Sequence, residues 1–451
     1  MMAAIQNIKS KKKLSLLLLI LLCLPLFQYY TGILNIGPLK GSYDKLEKPD
    51  FSVRSWFNGE YQNNYQEYFD ENIGFRSFFV RIYNQVHYVL YNEARANGII
   101  IGKKKYLYAK NYIRAHLGSD FIGRDSIKGK VGKIQMLNDT LQKKGIDLIV
   151  LFAPGKGSFY PEFFPKPYDT IAHGVTNYEV YREELQKSDI KFLDFNGWFR
   201  NMKDTSSYPL FPKTGIHWSK YGEIVAADSI IKYINSIQEE FIIPEMAIER
   251  IETSRKMRDT DDDIEKGMNI LFDIKDLKMG YPQFKWIETP HTNQPKVLTV
   301  ADSYYWGMFN YGISRDAFNN GQFWFYNQDI YPKKSKEPLN VKDINLKEEV
   351  EKNDIILLLS TDANLYKFAF GFIEQLFDCY YPNFDDLQLQ KNEERINFYI
   401  NAIRETPQWL KKVTKKAQSK NISIEEAIRE DAKYMVRQEK EKGDYLKVSP
   451  E

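Results

Sequence analysis

Through "YQNNYQEYFDENIGFRSFFVRIYNQVHYVLYN" (61–92) apolar positions recur every three or four residues, which predicts one or two amphipathic helices. "GIIIGKKKYLYA" (98–109) reads as a hairpin-like pair of short strands, and the rhythm then changes. Residues 126–144 carry a helical pattern, and "IDLIVLFAP" (146–154) is an unbroken apolar run ended by proline, the pattern of a strand buried on both faces. A helix over about 176–187 precedes the strand "IKFLDF" (190–195), and "SKYGEIVAADSIIKYI" (219–234) forms another helix. "KVLTVADS" (296–303) and "DIILLLSTDAN" (354–364) are two further strands that end in polar residues. Strands alternating with helices of this length predict an α/β fold, a parallel sheet with helices on both faces. Sites in such sheets form beyond the carboxyl ends of the strands, so the polar strand ends are the candidates for chemistry.

The ends of the chain follow other patterns. Four lysines, Lys9, Lys11, Lys12 and Lys13, precede "LSLLLLILLCLPLF". Positive charge before an apolar stretch marks a signal peptide or an N-in anchor. About 21 residues from Leu14 to Leu34 are enough to cross a bilayer at about 1.5 Å per residue. Without a nearby small-x-small cleavage site, an uncleaved anchor is expected (residues 1–34), with the body outside the cytoplasm. A Gly/Pro-interrupted tether and the amphipathic helices occupy 35–94, and the α/β domain 95–380. Within that domain, 236–290, with "DTDDDIEKG" (259–267) at its centre, reads as a charged, solvated insertion whose spacing is not that of an EF-hand. A highly charged helical tail (381–451) contains the capping box Ser423/Glu426.

With 63 basic and 60 acidic residues the chain lacks the basic excess of a nucleic-acid binder. Its two cysteines, Cys23 and Cys379, imply no disulfide framework, no metal-ligand spacing occurs, and no cofactor motif is present. The 31 Tyr, 29 Phe and 7 Trp either build a ring-rich core or stack on sugars.

Ser303 ends an apolar strand where a helix begins, so it is either a helix cap or an exposed nucleophile whose own N–H can face an oxyanion. His217 stands just before a helix capped by Ser219. The helix N-terminus disfavours positive charge, which would hold the imidazole neutral.

"LFAPGKGSFYPEFFP" (151–165), "FPKTGIHWSKYGE" (211–223), "VADSYYW" (300–306) and "GKKKYLY" (102–108), in their order, resemble segments of the alginate O-acetyltransferase family, AlgJ/AlgX-like. These are periplasmic enzymes with an SGNH-hydrolase-like domain. The resemblance covers roughly 95–375. It implies that His217 deprotonates Ser303, that an acetyl-Ser303 intermediate forms, and that the acetyl group passes to a hydroxyl of an exopolysaccharide or another envelope glycan. It also implies a membrane-bound O-acyltransferase as acetyl supplier. Asn364 is a candidate oxyanion donor, or turn chemistry. Lys156 and Tyr160 line the site, or are packed in a loop. Trp218, Tyr304, Tyr305 and Trp306 form a sugar-stacking wall, or fill the space between sheet and helices. One position departs from the family: Gly215 stands where an Asp orients the histidine. Either Asp194 or Asp302 substitutes, or a backbone carbonyl holds His217 in a Ser–His dyad, or catalysis is lost. Besides acetyl transfer, a carbohydrate acetylesterase and a silent glycan-binding or scaffolding subunit remain open.

Overall fold

The long apolar runs become the centre of a seven-stranded sheet in the computed structural model, which describes residues 2–41, 46–287, 293–335, 337 and 339–441. In chain order the strands are β1 (Ile99–Ile101), β2 (Leu107–Ala109), β3 (Asp147–Ala153), β4 (Lys191–Asp194), β5 (Glu245–Ser254), β6 (Met279–Ile287), β7 (Val297–Ala301), β8 (Phe323–Phe325), β9 (Asp329–Tyr331), β10 (Leu339–Asn340) and β11 (Ile355–Thr361). The main sheet runs β10-β9-β8-β7-β11-β3-β4. Its five strands β8, β7, β11, β3 and β4 are parallel, and β9 and β10 add an antiparallel edge. Every residue of β3, β7 and β11 is buried, which is why these segments show no polar alternation. That antiparallel edge departs from the all-parallel expectation. Strands of two and three residues are too short to leave a periodic signal.

Helices cover both faces, among them Arg124–Gln142, Asn177–Gln186 and Lys220–Ile237. As expected, 98–109 folds as a hairpin, with Ile99 opposite Ala109. The chain forms two compact units, residues 1–373 and 374–451. In the second, helices Phe384–Glu405, Pro407–Lys420 and Ile424–Glu441 enclose a small core that includes Ile403, Val413 and Ile428. The capping box forms there, Ser423 Oγ accepting from the Glu426 N–H at 3.1 Å.

Upstream, the helices are α1 (Met2–Thr31), α2 (Val53–Phe57), α3 (Glu60–Asn72) and α4 (Arg76–Val86). Within α1, Lys11–Thr31 is long and apolar enough to cross a membrane. An apolar N-terminal helix of this kind fits a membrane anchor or a signal.

The insertion is not a solvated excursion. β5 and β6 pair as an antiparallel ribbon from Glu245 opposite Ile287 to Ser254 opposite Met279, and the short helix Asp263–Met268 lies between them. Its acidic residues bind the backbone of the segment that carries His217.

Candidate active site

Asp194, Ser303 and Tyr326 all emerge at one edge of the sheet, where β4, β7 and β8 end. Ser303 Oγ lies 2.9 Å from His217 Nε2, and His217 Nδ1 lies 2.6 Å from Asp263 Oδ2. The carboxylate fixes the tautomer: Nδ1–H donates to Asp263, leaving Nε2 to accept from the serine hydroxyl. Asp263 Oδ1 accepts the Ile216 N–H at 2.8 Å, so one carboxylate holds both the ring and its backbone. No backbone carbonyl is needed to orient the ring.

Neither acid expected from the sequence does this. Asp194 caps the helix Phe195–Met202 through the Gly197 N–H, accepts the Tyr178 hydroxyl and pairs with Arg182. Asp302 is buried, and accepts hydrogen bonds from the Thr361 N–H and hydroxyl, the Asn364 amide and the Tyr304 N–H. It locks the end of β7 to the end of β11.

Position 215 has no room for an acid of its own. A Cβ placed there would meet the carbonyl oxygens of Thr260 and Asp261 at 2.6 Å. Backbone from the Asp263 loop thus fills the space a side chain at 215 would need.

The backbone of the histidine segment is held at nearly every polar group. Asp276 accepts the Lys213 and Thr214 N–H groups, each at 3.0 Å, and the Thr214 hydroxyl. The Glu265 N–H donates to the Thr214 carbonyl, and the Tyr304 hydroxyl donates to that of Ile216 at 2.8 Å. Lys156, 0 % exposed, donates to the carbonyls of Lys213 at 2.7 Å and Gly215 at 2.6 Å. It is therefore a buried clamp and does not line the cleft. Burial lowers its pKa from 10.5 to about 7, against the opposing charges of Asp276 and Asp263. Between those two values the unfolded chain holds a proton that the folded chain has released, so stability rises with pH across that window. Lys156→Met should lower the melting temperature, by leaving the Gly215 carbonyl unpaired and taking one of two donors from the Lys213 carbonyl, which keeps the Leu107 N–H. It should also flatten the rise in melting temperature from pH 7 to pH 10, measured on both proteins in the same buffers.

Tyr160 is likewise packed, its hydroxyl 3.5 Å from the Phe211 carbonyl. Trp218 and Tyr304 are fully buried and cross-link the site from beneath, with Trp218 Nε1 donating to the Tyr304 carbonyl at 3.1 Å. Tyr305 bonds Ser314, and Trp306 packs edge-on against Phe323 and Tyr331. These rings fill the space between sheet and helices, so the sugar-stacking wall does not form. Asn364 gives its amide to Asp302 at 2.8 Å and to Thr361 at 3.3 Å, which makes it a brace for the serine turn.

Burial disfavours a charged His217, but the hydrogen bond and charge of Asp263, helped by Glu223 and Asp302, outweigh it and raise the pKa above 6.5. The expected depression by the helix N-terminus is overridden, because a carboxylate in direct contact acts more strongly than partial backbone charges. Tyr326, in the turn after β8, was not singled out from the sequence. Its N–H donates to the Ala301 carbonyl at 2.9 Å, which sets this residue against the turn that carries Ser303, and burial followed by the Asp302 charge raises its hydroxyl pKa. Among the described residues no group of three or more His, Cys, Asp or Glu is placed to hold a metal.

Residues 99–260 match the family model described as SGNH hydrolase-like domain, acetyltransferase AlgX. The matched segment contains His217 and Gly215 and stops before Asp263 and Ser303. Probable alginate O-acetylase AlgJ of Azotobacter vinelandii is 23 % identical over 180 residues, 40 % of this chain and 44 % of that protein. Its counterpart in Pseudomonas fluorescens is 22 % identical over 195 residues, 41 % and 48 % of the two chains. The chain spans about half the length of the curated relatives it matches. Among solved structures, the O-acetyltransferase domain of Pseudomonas putida AlgJ aligns with a TM-score of 0.41 at 15 % identity, covering 62 % of this chain and 99 % of that one. Bacillus cereus PatB1 with a sulfonyl adduct aligns with a TM-score of 0.43 at 12 % identity, covering 61 % and 99 %.

Proposed function

With an SGNH-like α/β domain of the AlgJ/AlgX-like acetyltransferase family as its core, the chain is one for which we propose O-acetyl transfer to hydroxyls of an exopolysaccharide or cell-envelope glycan. The observation that carries this reading is the continuous hydrogen-bonded chain Ser303–His217–Asp263. His217 Nε2 takes the Ser303 proton as Oγ bonds to the acetyl carbonyl carbon. The tetrahedral intermediate then expels the donor's alkoxide, which leaves with that proton. In the second half the acceptor hydroxyl gives its proton to Nε2, attacks the acetyl-serine, and Ser303 recovers the proton as it departs. Asp263 is the positioning acid that stabilises the transient imidazolium. The Ser303 N–H and the Tyr326 hydroxyl supply the oxyanion site. Tyr326→Phe should therefore reduce turnover about 10²-fold with little change in KM, the usual size for one lost donor.

The apolar helix is read as an uncleaved anchor in the cytoplasmic membrane, with the domain on the far side. A membrane-bound O-acyltransferase supplies the acetyl group there. Water in place of the glycan would make the same site an acetylesterase. The scaffold reading loses its motive, since the missing acid at 215 is replaced from 263.

The test uses the full chain with an activated acetyl ester, following acetyl occupancy of the Ser303 peptide by mass spectrometry. Wild type should label, Ser303→Ala should not, and His217→Ala should label at least 10³-fold more slowly. Transfer of the label to an added oligosaccharide separates transferase from esterase. A wild type that never labels and turns over no ester would overturn both readings.

A further inference from the structure

α4 and the turn that continues it are amphipathic in the inverse sense for a water-soluble protein. From Arg76 to Tyr91 every exposed side chain is apolar or aromatic: Phe78, Phe79, Ile82, Tyr83, Val86, Val89, Leu90 and Tyr91. Leu90 is 69 % exposed and Phe79 54 %. Of the polar residues in this stretch, Arg76 and His87 pair with the surface carboxylates of Glu71 and Glu93, while Arg81, Asn84 and Gln85 bond protein backbone. Asn84 is buried, with its amide donating to the Met268 carbonyl at 2.8 Å. Gln85 accepts the Leu271 and Phe272 N–H groups, and Arg81 donates to the carbonyls of Gly37 and Pro38. Water on the outer face would leave a broad apolar patch exposed while polar groups are drawn into the protein, which soluble monomers avoid.

The patch is continuous with one further exposed apolar group. Phe272, held by Gln85 beside this face, is 72 % exposed. The position of the patch relative to α1 identifies the surroundings. The corner between α3 and α4 sits against the last two turns of α1, where a Cβ on Gly74 would meet the Pro25 carbonyl at 2.2 Å and the Tyr29 nitrogen at 2.7 Å. The Tyr29 and Phe69 rings pack there at 5.9 Å. An apolar helix long enough to span a bilayer thus ends beside an outward-facing apolar and aromatic surface.

We propose that α4, with its continuation to Tyr91 and Phe272, forms an interfacial platform whose outer face sinks into the lipid headgroup–acyl boundary, its apolar side groups in the bilayer and its aromatic rings at the interface. This rests on the reading of α1 as a membrane anchor. The platform gives the catalytic domain a fixed seat on the membrane, since Asn84 bonds the last residue of the Asp263 helix, Met268, and Gln85 the segment that follows it, at Leu271 and Phe272.

The full chain, with Cys23→Ser and Cys379→Ser, is reconstituted in phosphatidylglycerol/phosphatidylethanolamine vesicles and labelled with an environment-sensitive fluorophore at one site at a time. The sites are Phe79→Cys, Leu90→Cys, Lys285→Cys on the exposed ribbon and Leu18→Cys within α1. Phe79→Cys and Leu90→Cys should be quenched at least threefold more by a spin-labelled lipid than by aqueous iodide, and Lys285→Cys the reverse. Iodide reaching 79 and 90 as readily as 285 overturns the proposal. So does protection of both sites from either quencher, which would mean that a protein covers the face. Leu18→Cys separates the failures. If lipid quenches it while 79 and 90 face water, the platform alone is wrong. If lipid does not reach it, the anchor is wrong and the platform falls with it.

Discussion

Asp263→Asn should reduce turnover of an acetyl ester by about 10³–10⁴-fold, the scale on which a triad enzyme loses activity when the buried acid becomes an amide. The asparagine side chain fits the same space and can still meet the Ile216 N–H, so the fold and the melting temperature should change little. What it loses is the negative charge 2.6 Å from Nδ1. An amide can present its NH₂ to Nδ1 and stabilise the wrong tautomer, with the proton on Nε2, where it cannot accept from Ser303. The pH profile distinguishes this from general damage. His217 acts as a base only when neutral, so activity in the wild type should rise with pH through a raised pKa. Removing the charge that raises it should move the inflection to lower pH as well as lowering the plateau. A variant that is merely unstable would lose amplitude without that shift.

The second large effect concerns Gly215. Placing an acid at this position, with Gly215→Asp, should abolish acetyl-ester turnover and should not rescue Asp263→Asn. A Cβ at 2.6 Å from two backbone carbonyls is incompatible with the present loop, and the atoms it displaces belong to the segment that holds Asp263. Overpacking of this kind costs about 1–3 kcal/mol, and a carboxylate would be driven toward carbonyl oxygens. Gly215→Ala carries the steric part alone. It should lower the melting temperature and reduce turnover by less than Gly215→Asp, with the difference assigning the charge. If the double variant Gly215→Asp/Asp263→Asn recovered activity, the loop would be free to move and the acid could be supplied from either position.

Much of this site was legible in the sequence, for physical reasons that can be named. β3, β7 and β11 are unbroken apolar runs because both their faces are covered. Polar residues just after such runs had to emerge at the carboxyl edge, which put Ser303 among the candidates. His217 stood out as the histidine beside a helix start within a recognisable segment. Asp263 did not stand out. It is one of four aspartates among residues 259–263, and only the turn after Arg258 and the short helix that follows decide which of them faces the ring. Its partner is 46 residues away in sequence, so no local periodicity links them. Gly215 read as a loss, because a sequence displays a missing side chain but not the backbone that fills its place. The aromatic residues around Ser303 misled for a similar reason: their spacing shows that they share a neighbourhood, not that Trp218 and Tyr304 turn inward. Amphipathy in α4 was visible as a period of three to four, but a period does not say which face meets the protein. There the polar face does.

The most direct measurement is the single-turnover rate of Ser303 acetylation against pH, in wild type and Asp263→Asn, read by rapid quench and mass spectrometry. The triad account predicts acetylation at Ser303 in both, slowed by about 10³-fold or more in the variant, with the inflection at lower pH. Equal rates with an unchanged inflection would contradict it, because Asp263 would then be a bystander to His217.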